Sequence, residues 1–244
     1  PYLYTIKRNK SVSDFSCLQT YYTRRLQSMT REYRLTVKHI TKSFKKEKIL
    51  EDVNLDFSGG HIYGIVGKNG TGKSVLFKLI CGFIHADEGE IEVNGKKIGK
   101  DIDFPESMGA IIEAPGFLPY QSGIKNLEYL AGIRKIATHN TIVKTMEMVG
   151  LDPFSKKRVG KYSLGMKQRL AIAQAIMENP MLIILDEPMN GLDEDGVGEM
   201  RCIFNDLKEQ GKLLILASHN REDISILCDE VYEIKKGTVY LSNS

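Results

Sequence analysis

Gly67-Lys68-Asn69-Gly70-Thr71-Gly72-Lys73-Ser74 follows directly on the apolar run Ile62-Tyr63-Gly64-Ile65-Val66. After it, Ser74-Val75-Leu76-Phe77-Lys78-Leu79-Ile80 keeps helical apolar spacing, so the stretch reads as strand, glycine-rich turn and helix, the context of a phosphate-binding loop of the form GxxxxGKS. Gly67, Gly70 and Gly72 allow backbone angles and close approach that a Cβ would block, so successive N–H groups point into one concavity at a helix N-terminus. Lys73 adds a full positive charge for the outer phosphates. Ser74 offers a hydroxyl suited to Mg²⁺, which prefers oxygen ligands and keeps waters and substrate phosphate in its shell.

Working outward, a chain of 244 residues accommodates one large domain or a core with an inserted subdomain. Lys plus Arg number 34 against 31 Asp plus Glu, a near balance that argues against a protein coating a polyanion. The basic excess is local: within residues 1–34, Lys7, Arg8, Lys10, Arg24, Arg25, Arg31 and Arg34 face only Asp14 and Glu32. Residues 1–29 show no period and no secretory signal, and Met29-Thr30 reads as an original start after an extension (1–30) of no assigned role. Cys17, Cys81, Cys202 and Cys228 form no CxxC pair, and two of them fall in apolar helical patterns, where buried thiols are expected. A reducing compartment follows from that usage. Runs such as Met181–Leu185 and Leu213–Ala217 are far too short to span a bilayer.

Leu35, Val37 and Ile40, then Val53, Leu55 and Phe57, alternate with polar residues as half-buried strands. Ser58-Gly59-Gly60 turns the chain, and Asn94-Gly95 after Glu90–Val93 is a hairpin turn. Gly109–Ile112 reads as a buried strand ending in the punctuated loop Glu113-Ala114-Pro115-Gly116. Leu127, Leu130, Ile133 and Ile136, then Ile142, Val143, Met146 and Val149, take helical spacing and suggest a helical subdomain inserted at about 114–170. The apolar strands Met181–Leu185 and Leu213–Ala217, separated by helical stretches, mean a parallel sheet covered on both faces. The expected fold is therefore α/β: a mainly parallel sheet flanked by helices, with an antiparallel β-subdomain at its start and the helical insertion.

Leu182–Leu185 delivers Asp186 and Glu187 at a strand's carboxyl end, where open α/β sheets bind ligands. Asp186 matches the metal-holding acid of P-loop NTPases, and Glu187 stands where a general base would polarise water. Ser163, in Tyr162-Ser163-Leu164-Gly165-Met166-Lys167-Gln168-Arg169, is a sound N-cap and equally a phosphate site at a helix start. Taken together, the chain resembles the nucleotide-binding subunit of an ATP-binding-cassette (ABC) transporter over about residues 31–244. The resemblance implies that Gly67–Ser74, with Val75, is the Walker A loop and Leu182–Glu187 the Walker B strand with its catalytic glutamate. It implies that Ser163, Leu164, Gly165 and Met166 form the signature, binding the γ-phosphate of ATP held by a second subunit. Asn190-Gly191-Leu192-Asp193 looks like the D-loop, with Asp193 at the dimer interface, and His219 like the switch histidine on the γ-phosphate. Phe44 takes the place of the aromatic residue that stacks on adenine, although a core role fits such a residue equally well.

Two departures accompany these matches. Leu164 stands where glycine is commonest and Met166 where glutamine is. Glu113 occupies the place of a glutamine that touches Mg²⁺; its carboxylate can still ligate the ion but adds negative charge there. A glutamate followed by Pro115-Gly116-Phe117 is similar to subunits that protect bacteria from lantibiotics. The resemblance implies an ATPase motor working as a dimer, with Mg²⁺, and a separate membrane permease docked near Glu113–Gln121, through Phe117, Leu118 and Tyr120 unless these pack on the helical subdomain. That places it on the inner face of the cell membrane, exporting a peptide, antibiotic or other hydrophobic compound. The alternative is a non-transport ABC ATPase acting on nucleic acid or ribosomes, disfavoured because neither an inserted coiled coil nor a second cassette is present; no nucleic-acid partner is expected. A small-molecule phosphotransferase, the third reading, lacks an evident acceptor lid.

Overall fold

The computed structural model describes residues 32–45, 47–113, 116–219 and 221–242. The extension, and Lys46, Ala114, Pro115 and Asn220 of the motifs, lie outside the described residues.

The antiparallel start forms as the alternation predicts. Strands β1 (Arg34–Phe44), β2 (Glu47–Ser58), β4 (Glu88–Val93) and β5 (Lys96–Lys97) make one sheet in the order β2-β1-β4-β5. Its turn at Asn94-Gly95 holds both residues at positive φ, 51° and 81°, the type I′ geometry for which that pair is suited. The second sheet runs β10-β9-β3-β8-β7-β6 and contains β3 (His61–Val66), β6 (Met108–Ile111), β7 (Leu182–Asp186), β8 (Leu213–Ala217), β9 (Glu230–Lys235) and β10 (Thr238–Leu241). All its pairings are parallel except that of edge strand β10 with β9.

The continuous apolar runs of β7 and β8 split by strict alternation between two cores. Ile183, Leu185, Leu214 and Leu216 join the cluster containing Leu170, Ile172 and Ile176 of helix α4 (Leu164–Ile176) and Met200 and Phe204 of helix α5 (Glu194–Glu209). Leu182, Ile184, Leu213 and Ile215 face the opposite cluster, where Leu76, Phe77 and Ile80 of helix α1 (Lys73–Ile80) meet the antiparallel sheet through Leu35, Val37, Val53 and Phe57. The phosphate-loop strand β3 lies between β8 and β9, so the loop opens at the centre of the sheet's carboxyl edge.

The segment expected to be a helical insertion holds helices α2 (Gly123–Arg134) and α3 (His139–Met148) and a 3₁₀ turn at Val159–Lys161, and α4 runs on to Ile176; helix α6 (Arg221–Leu227) follows β8. The expected stripe on α2 is corrected. Leu127 is buried and Leu130 half-buried, but Ile133 is 72% exposed, and Ile136 lies beyond the helix, which Lys135 ends in a left-handed conformation. Steps of three residues fall about 60° short of a full turn each, so a stripe at that spacing rotates off the buried face. The thiol expectation is also divided: Cys81 is buried, whereas Cys202 is exposed on α5.

Candidate active site

The loop between β3 and α1 enters its helix without a side-chain cap, as the chain also does at Ser122 before α2. Gly72, at φ 110°, is the N-cap of α1 and makes no side-chain cap, while the helices beginning after Thr138, Ser163 and Asp193 each have theirs closed by a side-chain oxygen. A Cβ at Gly72 would come within about 3.0–3.2 Å of Leu50 and Ile49 of β2, so both the left-handed angle and the packing of the loop against the antiparallel sheet require glycine. Lys73 is 7% exposed, and its Nζ donates to the carbonyls of Gly67 at 2.7 Å and Lys68 at 3.3 Å. Thr71 donates its hydroxyl to the Lys68 carbonyl at 2.9 Å, bracing the loop's far side.

At the exit of β7, Asp186 Oδ2 accepts from the Ser74 hydroxyl at 2.9 Å. A hydroxyl and a carboxylate converging beside a phosphate loop form a hard, all-oxygen donor set, which fits Mg²⁺ completed by phosphate oxygens and water. Among the described residues no cluster of three His, Cys, Asp or Glu forms a cage independent of such a ligand.

Glu187 continues the ladder, its N–H donating to Ala217 O at 2.9 Å, and then turns sharply at φ 52°. That angle is uncommon for a residue with a Cβ. The His219 N–H donates to Glu187 Oε2 at 3.1 Å, and His219 Nε2 stands 3.1 Å from Oε1 without the alignment of a hydrogen bond, so Oε1 is a buried acceptor with none. Burial raises the Glu187 carboxyl above the usual glutamate range, against the lowering effect of the His219 N–H. A half-buried carboxylate whose Oε1 accepts no hydrogen bond, beside a metal-type oxygen pair, suits activation of a water.

A cavity of about 980 Å³ brings together Phe44, Asn69, Gly70, Gly72, Lys73, Ser74, Val75, Glu113, Asp186, Glu187 and His219. Phe44, 47% exposed, stands on its wall and so is not core. Glu113, at φ 65°, is paired to Lys78 Nζ at 2.7 Å, one helical turn beyond Ser74. Ser163 caps α4, its Oγ accepting from the Met166 N–H at 3.2 Å. Leu164 reaches the cavity with 65% exposure and packs on Gly191; Ser163, Gly165 and Met166 are not part of the lining. Asp193 caps α5, accepting from the Gly196 N–H at 3.0 Å.

Gln168 and Ile49 are among the contributors that carried no role in the sequence reading, as are Pro119, Val159, Gly160 and Lys167 of the cavity wall. Gln168 Nε2 donates to the Glu187 carbonyl at 3.3 Å, tying α4 to the strained residue. Ile49 of β2 lines the cavity with Phe44. The spacing of Gln168, one turn after Leu164, was the available signal. Phe117, expected to be offered for docking, packs partly buried against the helix-side core, whereas Tyr120 stays 60% exposed.

Residues 50–190 match the ABC transporter family. An uncharacterized ABC transporter ATP-binding protein of Bacillus subtilis is 43% identical over 85% of this chain and 95% of its own length. A lantibiotic transport ATP-binding protein of Streptococcus pyogenes is 34% identical over 85% of this chain and 89% of its own. A bacitracin transport ATP-binding protein of Bacillus licheniformis is 40% identical over 81% of this chain and 65% of its own length. Among solved structures, a dimeric bacterial ABC transporter cassette superposes with a TM-score of 0.75 at 23% identity, covering 84% of this chain and 96% of that one, a likeness of fold. The chain belongs to the ABC transporter family, as an ATP-binding subunit. Among the described residues no helix is long and apolar enough to cross a membrane.

Proposed function

We propose that two copies of this chain sandwich two MgATP molecules and that each copy hydrolyses the nucleotide on its own phosphate loop, with Glu187 as general base. The observation that carries this is the half-buried Glu187 carboxyl, raised by burial and held by His219 within the same cavity as Lys73, Ser74 and Asp186. Gly67–Val75 holds the triphosphate through N–H groups and the Lys73 ammonium, and Phe44 stacks on adenine. Ser74 and Asp186 hold Mg²⁺, which when bound neutralises charge on the phosphate oxygens. Glu113 reaches that ion only by leaving Lys78. Glu187 takes the proton of the attacking water, and His219 orients the carboxylate and contacts the γ-phosphate. Ser163 to Met166 meets the partner's nucleotide, with Asp193 across the interface. Residues 114–170 form the helical subdomain within the ATP-binding domain 31–244, and 1–30 are an extension of no assigned role.

A separate integral-membrane permease completes the transporter and holds this chain at the inner face of the cell membrane, with the exposed Tyr120 of the Glu113–Gln121 loop as a contact. Export of peptide antibiotics is supported by the names of the bacitracin and lantibiotic relatives and by Glu113 in place of glutamine. The testing experiment is Glu187→Gln: turnover falls about 10²–10⁴-fold while an ATP-bound dimer accumulates, and wild-type hydrolysis in that variant overturns the assignment. Co-purification of an integral membrane protein tests the permease, and unchanged susceptibility to such peptides in cells lacking this chain removes the export reading.

A further inference from the structure

Phe44 ends β1 on the cavity wall, and behind it stands a lysine that the proposed reaction does not use. Lys42 Nζ lies 5.5 Å from the centroid of the Phe44 ring. The Lys42 side chain is only 14% exposed, low for a residue that is mostly solvated. One carboxylate fixes it: Asp87 Oδ1 accepts from Lys42 Nζ at 2.7 Å, while Oδ2 accepts from the backbone N–H of Ser43, between Lys42 and Phe44, also at 2.7 Å. Asp87 thus ties down both the cation and the stretch of strand that carries the ring. Lys42 stands over the Phe44 ring and is not itself among the residues lining the cavity.

A cation over one face of an aromatic ring draws π-density towards itself and leaves the opposite face poorer in electrons. Such a face stacks better on an electron-rich purine than on a pyrimidine. We propose that Lys42, anchored by Asp87, is a specificity-determining positioning residue that orients and polarises the Phe44 ring so that the site favours purine over pyrimidine triphosphates. The proposal rests on Phe44 being the base-stacking residue, and the experiment separates the two.

Binding of MgATP, MgCTP and inorganic tripolyphosphate to the 244-residue chain is measured by displacement of a fluorescent ATP analogue, for the parent, Lys42→Met, Lys42→Arg, Asp87→Asn and Phe44→Ala. Lys42→Met weakens ATP about two- to fivefold, weakens CTP less, and leaves tripolyphosphate unchanged, so that the ATP-to-CTP preference narrows. Asp87→Asn moves the ratio the same way, and Lys42→Arg, which keeps the cation, retains it and serves as the readout if Lys42→Met does not fold. Equal losses for ATP and tripolyphosphate would mean that the lysine attracts phosphate by charge alone, and overturn the proposal. So would an unchanged ATP-to-CTP ratio in Lys42→Met while Phe44→Ala loses ATP affinity. Full ATP affinity in Phe44→Ala instead refutes base stacking by Phe44 itself.

Discussion

At Glu187 burial outweighs the opposing contacts and raises the carboxyl above the ordinary glutamate range. Because burial raises its folded-state value, the folded chain binds more protons than the unfolded one between the ordinary glutamate range and the raised value. Stability therefore falls as pH rises through that window, and the cost is present in full above it. Glu187→Gln should unfold at higher urea concentration than the parent at neutral pH, with the difference vanishing below the ordinary glutamate range; equal midpoints at neutral pH would mean that the carboxyl is not strained by burial. Gly109 is a second decisive residue: a Cβ there would lie 1.8 Å from the Ala175 carbonyl oxygen, where β6 meets α4. Gly109→Ala should cost more than about 3 kcal/mol. Gly198→Ala, exposed in α5 with open space around it, should gain about 0.5–1 kcal/mol by chemical denaturation. The site glycines were legible because a motif spaces them. Gly109 was not, because only the crossing of β6 and α4 makes it indispensable.

At the scale of elements, what could be read depended on whether periodicity is local. Strands β7 and β8 declared themselves as apolar runs with carboxylates at the exit, and the capping role of Ser163 followed from residue type and position. The α2 stripe misled because four apolar residues three apart look helical yet drift around the axis, and the left-handed Lys135 that stops the helix carries no glycine to announce it. The bond from Gln168 to the Glu187 carbonyl was hidden for a different reason, since it joins a helix to a loop across 19 residues of sequence. Asp193 combines both kinds of information. Its carboxylate accepts from the Gly196 N–H at the start of α5, so Asp193→Ala should cost about 0.5–2 kcal/mol of stability. Asp193→Asn keeps the cap and the stability. A loss of hydrolysis in Asp193→Asn with unchanged unfolding would assign the negative charge a task beyond the cap, whereas parental activity would leave capping as its whole role.

For the molecule as a whole, two cores on either side of one sheet flank the phosphate loop and the Asp186-Glu187 pair, and the turn Ser163–Met166, proposed to meet a partner's nucleotide, opens α4 against the helix-side core. Leu164 is the informative residue in that turn. It leaves 65% of its surface exposed while packing its inner side on Gly191, an arrangement that stabilises an isolated chain little. In a head-to-tail pair of copies the same surface would be buried against the partner's nucleotide site, and its apolar area would favour association. Leu164→Asp replaces that area with a negative charge facing the partner's triphosphate. In the Glu187→Gln background with MgATP, light scattering should give twice the mass of a single chain, and adding Leu164→Asp should return it to one, with nucleotide still bound to the monomer. If the doubled mass survives, the signature turn does not lie at the interface, and the two-copy arrangement of the site would have to be abandoned.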